Sequence, residues 1–472
     1  MNIMRKLRSG GGLTSMPSTG QQDDGNSNSA QHTALGLMHL KKLFSEYTHP
    51  AHQLSDKEKE EKLYNMLPLF CKVFGNASCA DMTDKFRDIV SFCGHVSRLM
   101  VSEIRRRASN QSTETASRAI AKFLEIENSE ESSNGWMLLS TLNLLASGNA
   151  QLIQVMTSVA LPSTLVKCLY LFFDLPEMES DCDVREKDSE FTPKERRILL
   201  QKIFVQVLVK LCSHAAPAEE LSRKDDLMLL FSAITSSCPS YNVLWRKSAA
   251  EVLMTISRHG LTQPVVAYIH SKGCMALCIE NMQRGQDLTP LDIVEMFVTV
   301  FCFLKDSSEV SQTLLDDFKV AHGYSFLSDF LFNLEGGSEA QEVIRNVVLM
   351  IASLAMCGYN ELRPSQASAG SLFQILGFTV PQPAGRGTSV RNIQAFQVLQ
   401  SVFLKSNSPT LCCTILDAIS SVYHADNANY FILENQNTLS QFAERIHLKT
   451  LEIQVRKKYI FMQILRFCSV RF

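Results

Sequence analysis

The residues most able to do chemistry lie in a few short segments of this 472-residue chain. Arg105-Arg106-Arg107-Ala108-Ser109 is the sharpest. Arg residues two and three positions before a Ser are what basophilic protein kinases select, because acidic pockets clamp guanidinium groups. Phosphate on Ser109 would lie beside Arg106 and Arg107 and could pair with them. The same residues also read as a basic helix C-terminus that complements the dipole, with Ser109 at its exit.

The stretch from Lys449 to Phe472 is the second. It carries Lys449, Arg456, Lys457, Lys458, Arg466 and Arg471 against one acid, Glu452, with Tyr459, Phe461, Phe467 and Phe472 interleaved. Three readings stand: a basic amphipathic segment for an anionic membrane or a partner groove, a terminal helix capping its neighbours, or an alternative terminus. The first makes Arg456, Lys457, Lys458, Tyr459, Phe461, Arg466 and Phe467 membrane or partner contacts.

Other signals are weaker. Gly385-Arg386-Gly387 precedes a helical pattern, as an anion-binding turn would, but lacks the Lys-Ser/Thr ending of a phosphate loop. A loop hinge is the plainer reading; a lone Arg386 serving a GTPase is the alternative. None of the 14 cysteines forms a Cys-x-x-Cys pair, and Cys274 and Cys278 lack a His or acid on the next turn, so core packing is expected rather than zinc. Cys71, Cys168, Cys212, Cys302 and Cys357 sit in apolar runs and read as small buried hydrophobes. His95, His259 and His270 stand singly on helical runs. No nucleophile-elbow or His-Glu-x-x-His pattern occurs. The chain is expected to be non-enzymatic, with no catalytic, cofactor-binding or metal residues and no cofactor.

Composition sets the frame for these segments. Apolar residues make up 45% and charged residues 20%, enough apolar surface to offset the entropy of ordering. Lys plus Arg is 46 against 48 Asp plus Glu, a net charge of −2, so no overall pull toward nucleic acid follows. The N-terminus is basic but has no apolar core of secretory length. The longest apolar stretch, Ile293 to Leu304, is too short for a bilayer. A cytoplasmic location is the default expectation, and Asn76-Ala-Ser78 and Asn110-Gln-Ser112 are glycosylation triplets by pattern only.

The elements that must position these residues are helices. Residues 1–33 are Gly-, Ser-, Gln-, Asn- and Asp-rich and read as a disordered tail. From Ala34, Leu37, Leu40, Leu43, Phe44 and Tyr47 recur at helical spacing. Ser55-Asp-Lys-Glu58 is a capping box. Leu63, Met66, Leu67 and Phe70 form the next face, with a kink expected at Pro68 and a stop at Gly75. Further helices are predicted over 86–107, 115–126, 136–145, 163–173, 193–212, 224–235, 245–257, 290–304, 326–334, 342–356, 390–404 and 409–423. No period-two runs stand out. Breaks near Lys224, Gly273 and Gly323 are about fifty residues apart, as in a HEAT-like stack. The expected fold is all-α, an armadillo/HEAT-like helical solenoid over 34–445. Loops are expected near 176–192, where the residues are mostly acidic, and 363–389, with a divergent basic tail over 446–472.

Several strings carry a family resemblance: Ala34-Leu-Gly-Leu-Met-His-Leu40, Glu61-Lys-Leu-Tyr-Asn-Met-Leu-Pro68, Val96-Ser-Arg-Leu-Met100 and Ile104-Arg-Arg-Arg-Ala-Ser109. Ser163-Thr-Leu-Val-Lys-Cys-Leu-Tyr-Leu-Phe-Phe-Asp-Leu-Pro176, Trp245-Arg-Lys-Ser-Ala249 and Phe303-Leu-Lys-Asp-Ser-Ser308 follow. Val380-Pro-Gln-Pro-Ala-Gly385 and Asp426-Asn-Ala-Asn-Tyr-Phe-Ile-Leu-Glu434 complete the set. Together, from about Ala34 to Glu444, they resemble the N-terminal region of the WD-repeat- and FYVE-domain-containing BEACH family. The resemblance implies an armadillo-like region of a very large scaffold in selective autophagy of ubiquitinated aggregates. It implies protein partners from the autophagy machinery and a cytoplasmic location near autophagic or perinuclear membranes. The zinc ligands of a FYVE finger have no counterpart here. Beyond Ile446 the resemblance stops, as in a truncated or alternatively spliced product.

Overall fold

The computed structural model describes residues 26–49, 54–75, 86–109, 111–125, 133–178, 191–285, 287–304, 309–335, 341–356, 389–447 and 452–469. Among the described residues the fold is all-α, with no strand. The chain forms two compact units. One comprises Met1–Ala233 with Cys238–Val265; the other comprises Ile234–Ser237 with Val266–Phe472.

The first unit is built from α1 (Asn26–Thr48), α2 (Asp56–Phe74), α3 (Ile89–Ala108), α4 (Thr113–Leu124), α5 (Asn134–Leu145), α6 (Ala150–Ser158) and α7 (Leu161–Leu171). A 3-10 turn, Phe172–Asp174, leads on to α8 (Pro193–Cys212), α9 (Ala215–Arg223), most of α10 (Leu227–Thr235) and α11 (Val243–Thr255), which ends in a π-turn, Ile256–Gly260. Most of these helices pack on elements close to them in sequence. Rings from Phe44, Phe70, Phe74, Phe86 and Phe92 interlock with centroids 4.4 to 6.3 Å apart. Farther along, Phe172 meets Phe204 at 5.4 Å and Trp245 at 4.6 Å.

The second unit holds most of α12 (Gln263–Ser271), then α13 (Cys274–Arg284), α14 (Pro290–Leu304), α15 (Glu309–Val320), α16 (Gly323–Asn333) and α17 (Gln341–Met356). It continues through α18 (Ile393–Lys405), α19 (Pro409–Ala425), α20 (Asn427–Glu434), α21 (Thr438–His447) and α22 (Ile453–Ser469). Cys274, Cys278 and Cys302 are buried in it as core residues. Asn429 is fully buried. It accepts the Val390 N–H at 2.6 Å and donates to the Val422 carbonyl at 2.8 Å, which explains a buried Asn within the 426–434 string.

Local chemistry sets the boundaries. The capping box at Ser55 is present: the Glu58 carboxylate accepts the Ser55 N–H at 2.8 Å, and the Ser55 hydroxyl takes the Glu58 N–H. The helix continues through Pro68 to Phe74, with Gly75 as its cap. Helices α8 and α14 have the bounds that the sequence predicts. Most other predicted helices shift at one or both ends by one to three residues, and two expected segment boundaries are crossed. The first described helix opens at Asn26, inside the stretch read as a tail, and α21 runs to His447, across the 445/446 division. Residues 1–25, 179–190 and 357–388 lie outside the described residues, so most of both expected loops does too.

The repeat is legible in the backbone. Ala160, Gly273 and His322 have φ of 61°, 62° and 61°, each two residues after one helix ends and immediately before the next begins. Asp225 at 63° and Asn437 at 52° mark two more helix-to-helix joints. Three of these positions coincide with the fifty-residue breaks in the sequence. A non-Gly L-residue in the left-handed region costs about 1–2 kcal/mol, which the packing of the flanking helices must offset at Ala160 and His322.

Candidate interaction surface

A groove of about 340 Å³ opens in the first unit where the C-terminal half of α4, the chain just after the 3-10 turn and the first turns of α8 meet. Its apolar residues are Ala121, Leu175, Pro176, Met178 and Leu200. Its charged residues are Arg118, Lys122, Arg196 and Arg197, with Glu125 and Glu177. Leu175 and Leu200 are buried and form the floor, whereas Arg118, Lys122 and Glu177 are exposed at the rim.

The floor is held by one buried amide. Asn242 is 1% exposed. Its Nδ2 donates to the Phe173 carbonyl at 2.9 Å and to the Leu175 carbonyl at 2.7 Å. Its Oδ1 accepts Arg197 Nη2 at 3.1 Å, and Arg197 Nη1 donates to the Pro176 carbonyl at 3.0 Å. These bonds satisfy carbonyls that the chain exposes as it leaves helix, so the groove is pre-formed. On the other wall, α8 starts at a second capping box: Glu195 accepts the Thr192 N–H, and Thr192 accepts the Glu195 N–H, both at 3.1 Å. Pro193 at the first helical position fits the same role. Buried Arg196 donates to the Phe191 carbonyl at 3.4 Å. Arg118 pairs with Glu114, but both side chains are more than half exposed, so that pair is weak and easily exchanged. The surface is thus apolar in the middle and mainly cationic at the rim, which suits an acid-flanked apolar segment.

Two polar clusters resemble catalytic groupings in their residue types. Buried Ser163 donates its hydroxyl to Asp226 and its N–H to Glu220 at 3.1 Å, while Lys167 lies 3.2 Å from Asp226. Serine, lysine and carboxylate meet at the N-terminus of α7, where the acids complement the dipole and Ser163 is 2% exposed. Burial raises the Glu220 carboxyl above its usual range. Lys210 donates to Asn143 Oδ1 at 2.7 Å and to the Asn143 carbonyl at 2.9 Å, and burial lowers its pKa to about 8. Among the described residues, no group of three or more His, Cys, Asp and Glu side chains is placed to hold a metal. No single described helix is long and apolar enough to cross a membrane; two bent pairs reach that length and composition together, bent by 68° and 98°.

The sequence-predicted residues fall in three places. Ser109 caps α3, exposed, with its hydroxyl donating to the Arg106 carbonyl at 3.0 Å. Arg106 and Arg107 both reach Glu103, at 2.8 and 3.6 Å, and Arg107 stacks over Phe123 at 4.3 Å. On α22, Tyr459 is buried and its hydroxyl donates to the Leu439 carbonyl at 3.2 Å, which corrects its expected place among the outward contacts. Lys458 pairs with Asp417 of α19, while Lys457 and Phe461 are exposed and Arg456 is half-buried. The side chains of Arg466 and Phe467 lie outside the described residues, as do Asn76, Asn110 and Gly385-Arg386-Gly387. His270 pairs with Asp317 at 2.7 Å. The groove itself is absent from the sequence reading; its one local signal is Thr192-Pro-Lys-Glu195, a capping box that fixes where α8 begins.

No family model matches the chain. It is similar to WD repeat- and FYVE domain-containing protein 4 of Mus musculus, 28% identical over 402 residues, 84% of this chain and 12% of that protein. The Homo sapiens protein of the same name is 28% identical over 430 residues, 90% of this chain and 13% of that one. Protein SPIRRIG of Arabidopsis thaliana is 20% identical over 476 residues, 85% of this chain and 13% of that protein. Among solved structures, an engineered protein is similar at a TM-score of 0.34 and 15% identity, over 97% of this chain and 92% of that one, a likeness that carries no argument. The chain spans 12 to 13% of the length of the relatives it matches. Over most of its length the chain is thus similar to one region of the WD repeat- and FYVE domain-containing and BEACH domain-containing proteins.

Proposed function

We propose that the chain is a non-enzymatic interaction module of a large scaffold, and that its first-unit groove holds a short acid-flanked apolar segment of a protein partner. The observation that carries this reading is the pre-formed groove, apolar at Leu175, Met178 and Leu200 and lined by Arg118, Lys122 and Arg197. Similarity to scaffold-type relatives supports it. The family resemblance extends the proposal to selective autophagy of protein aggregates in the cytoplasm, with autophagy machinery among the partners.

The test uses a fluorescent peptide with a Leu-Phe centre flanked by acids, and the same centre flanked by lysines. Anisotropy should rise with the acidic peptide alone. Arg118→Glu with Lys122→Glu should weaken it at least tenfold, and Leu200→Asp should abolish it. Equal binding of both peptides, or binding unmoved by the variants, would remove the groove as the site. Aggregate clearance in cells expressing the charge-reversed chain should fall; unchanged clearance would remove the autophagy extension. Ser109 belongs to the same proposal as a kinase acceptor, tested by phosphate incorporation into wild type but not Ser109→Ala or Arg106→Ala.

A further inference from the structure

A second exposed apolar surface, distinct from the groove, lies in the other unit. Helix α22 buries Val455, Tyr459 and Met462, which are 0%, 8% and 6% exposed. That inner face is complete in itself: Tyr459 is bonded to the Leu439 carbonyl and Lys458 to Asp417. The outer stripe follows helical spacing, with Ile453, Lys457, Ile460 and Phe461 at i, i+4, i+7 and i+8. Ile453, Ile460 and Phe461 are 65%, 55% and 60% exposed, and Lys457 is exposed between them. The helix contains Arg456, Lys457, Lys458 and Arg466 and no acid.

We infer that the outer stripe of α22 is a docking surface for an anionic lipid bilayer. Charge selects the occupant. An acid-free helix whose cation sits within the apolar stripe, rather than in a rim around it, matches a surface that is apolar at depth and anionic above. Ile460 and Phe461 enter the acyl boundary, while Lys457 extends its ammonium to the lipid phosphates. A protein partner would require the cation to be desolvated within the apolar contact. Docking needs no rearrangement of the inner face, because Val455, Lys458, Tyr459 and Met462 hold α22 from the side opposite the stripe. The association is peripheral and reversible, and it is independent of the first-unit groove.

The test is co-flotation of the full chain with phosphatidylcholine vesicles, with and without phosphatidylserine. Wild type should float with the anionic vesicles alone, and less at high salt. Lys457→Glu should weaken flotation roughly 25-fold, since each cation near an anionic surface contributes about fivefold and the reversal counts twice. Ile460→Asp with Phe461→Asp should abolish it, whereas Phe431→Asp, an exposed ring on α20, should leave it unchanged. Circular dichroism should be the same for all, because every altered side chain is exposed. No flotation of wild type, or full flotation of the Ile460/Phe461 variant, would overturn the inference. So would a lipid-free dimer in sedimentation that the same variant dissolves, since the stripe would then belong to a second copy of this chain.

Discussion

Replacing Asn242 with Ala should loosen the groove from beneath without touching its lining. The side chain makes three hydrogen bonds: to the Phe173 and Leu175 carbonyls and from Arg197. Its removal leaves two carbonyls without their amide donor and a guanidinium short of one acceptor. Neutral bonds contribute about 1 kcal/mol each, a bond to a charged group about 1.5–3, and an orphaned buried carbonyl costs more than the bond alone. The expected loss is about 3–5 kcal/mol. Urea unfolding followed by tryptophan fluorescence measures it selectively, because Trp136 and Trp245 both belong to the first unit. With a denaturant slope of about 3 kcal/mol/M, the midpoint should fall by roughly 1–1.7 M. The acidic-peptide affinity should fall as well, as Leu175 and Pro176 lose their anchor. Asn242→Asp keeps the acceptor for Arg197 but turns a donor into an anion beside two carbonyls, so it should not rescue. A loss under about 1 kcal/mol with unchanged peptide binding would refute the claim that this amide builds the groove.

Three other outcomes follow from the packing. Burial pushes the Glu251 carboxyl up to about 7. The folded state therefore binds the proton more tightly than the unfolded chain, so this contribution to first-unit stability is full below pH ~4.5 and lost as pH rises through 7, a change on the order of 3 kcal/mol; in Glu251→Gln that slope should flatten. His322 has a φ of 61°, so His322→Gly should raise second-unit stability by about 1 kcal/mol in thermal unfolding, while Gly273→Ala, at a φ of 62°, should lower it by a similar amount. A Cβ on Gly135 would lie 2.4 Å from the Phe123 carbonyl oxygen, where α5 closes on α4, so Gly135→Ala should cost about 2–3 kcal/mol by urea titration.

Much of this fold can be read from spacing alone. Long helices with strong caps and many apolar residues, such as α8 and α14, show their bounds directly, because capping residues and period combine within one segment. Short helices are harder. Ala150–Ser158, Ala215–Arg223 and Thr438–His447 are only a few turns long, and their existence depends on neighbours that cover one face. The repeat shows in the sequence as breaks near Lys224, Gly273 and Gly323, but the left-handed joint does not, since Ala160 and His322 carry no local mark of positive φ. The groove was illegible for a different reason. Its walls come from residues 118–125, 175–178 and 196–200, and the amide that unites them is Asn242, far along the chain. Tyr459 shows the limit of composition: a basic, aromatic stretch has two faces, and spacing does not say which one the neighbouring helices take.

Site-specific photo-crosslinking from Met178, at the groove, compared with Gln151, exposed on α6, asks whether the groove holds a partner. A photoreactive residue at Met178 should capture discrete proteins in cells, joined through segments whose apolar residues are flanked by acids. Arg118→Glu with Lys122→Glu should remove those products. Crosslinks from Met178 no more frequent than from Gln151, or joined through basic segments and indifferent to the charge reversal, would contradict the groove as a partner site.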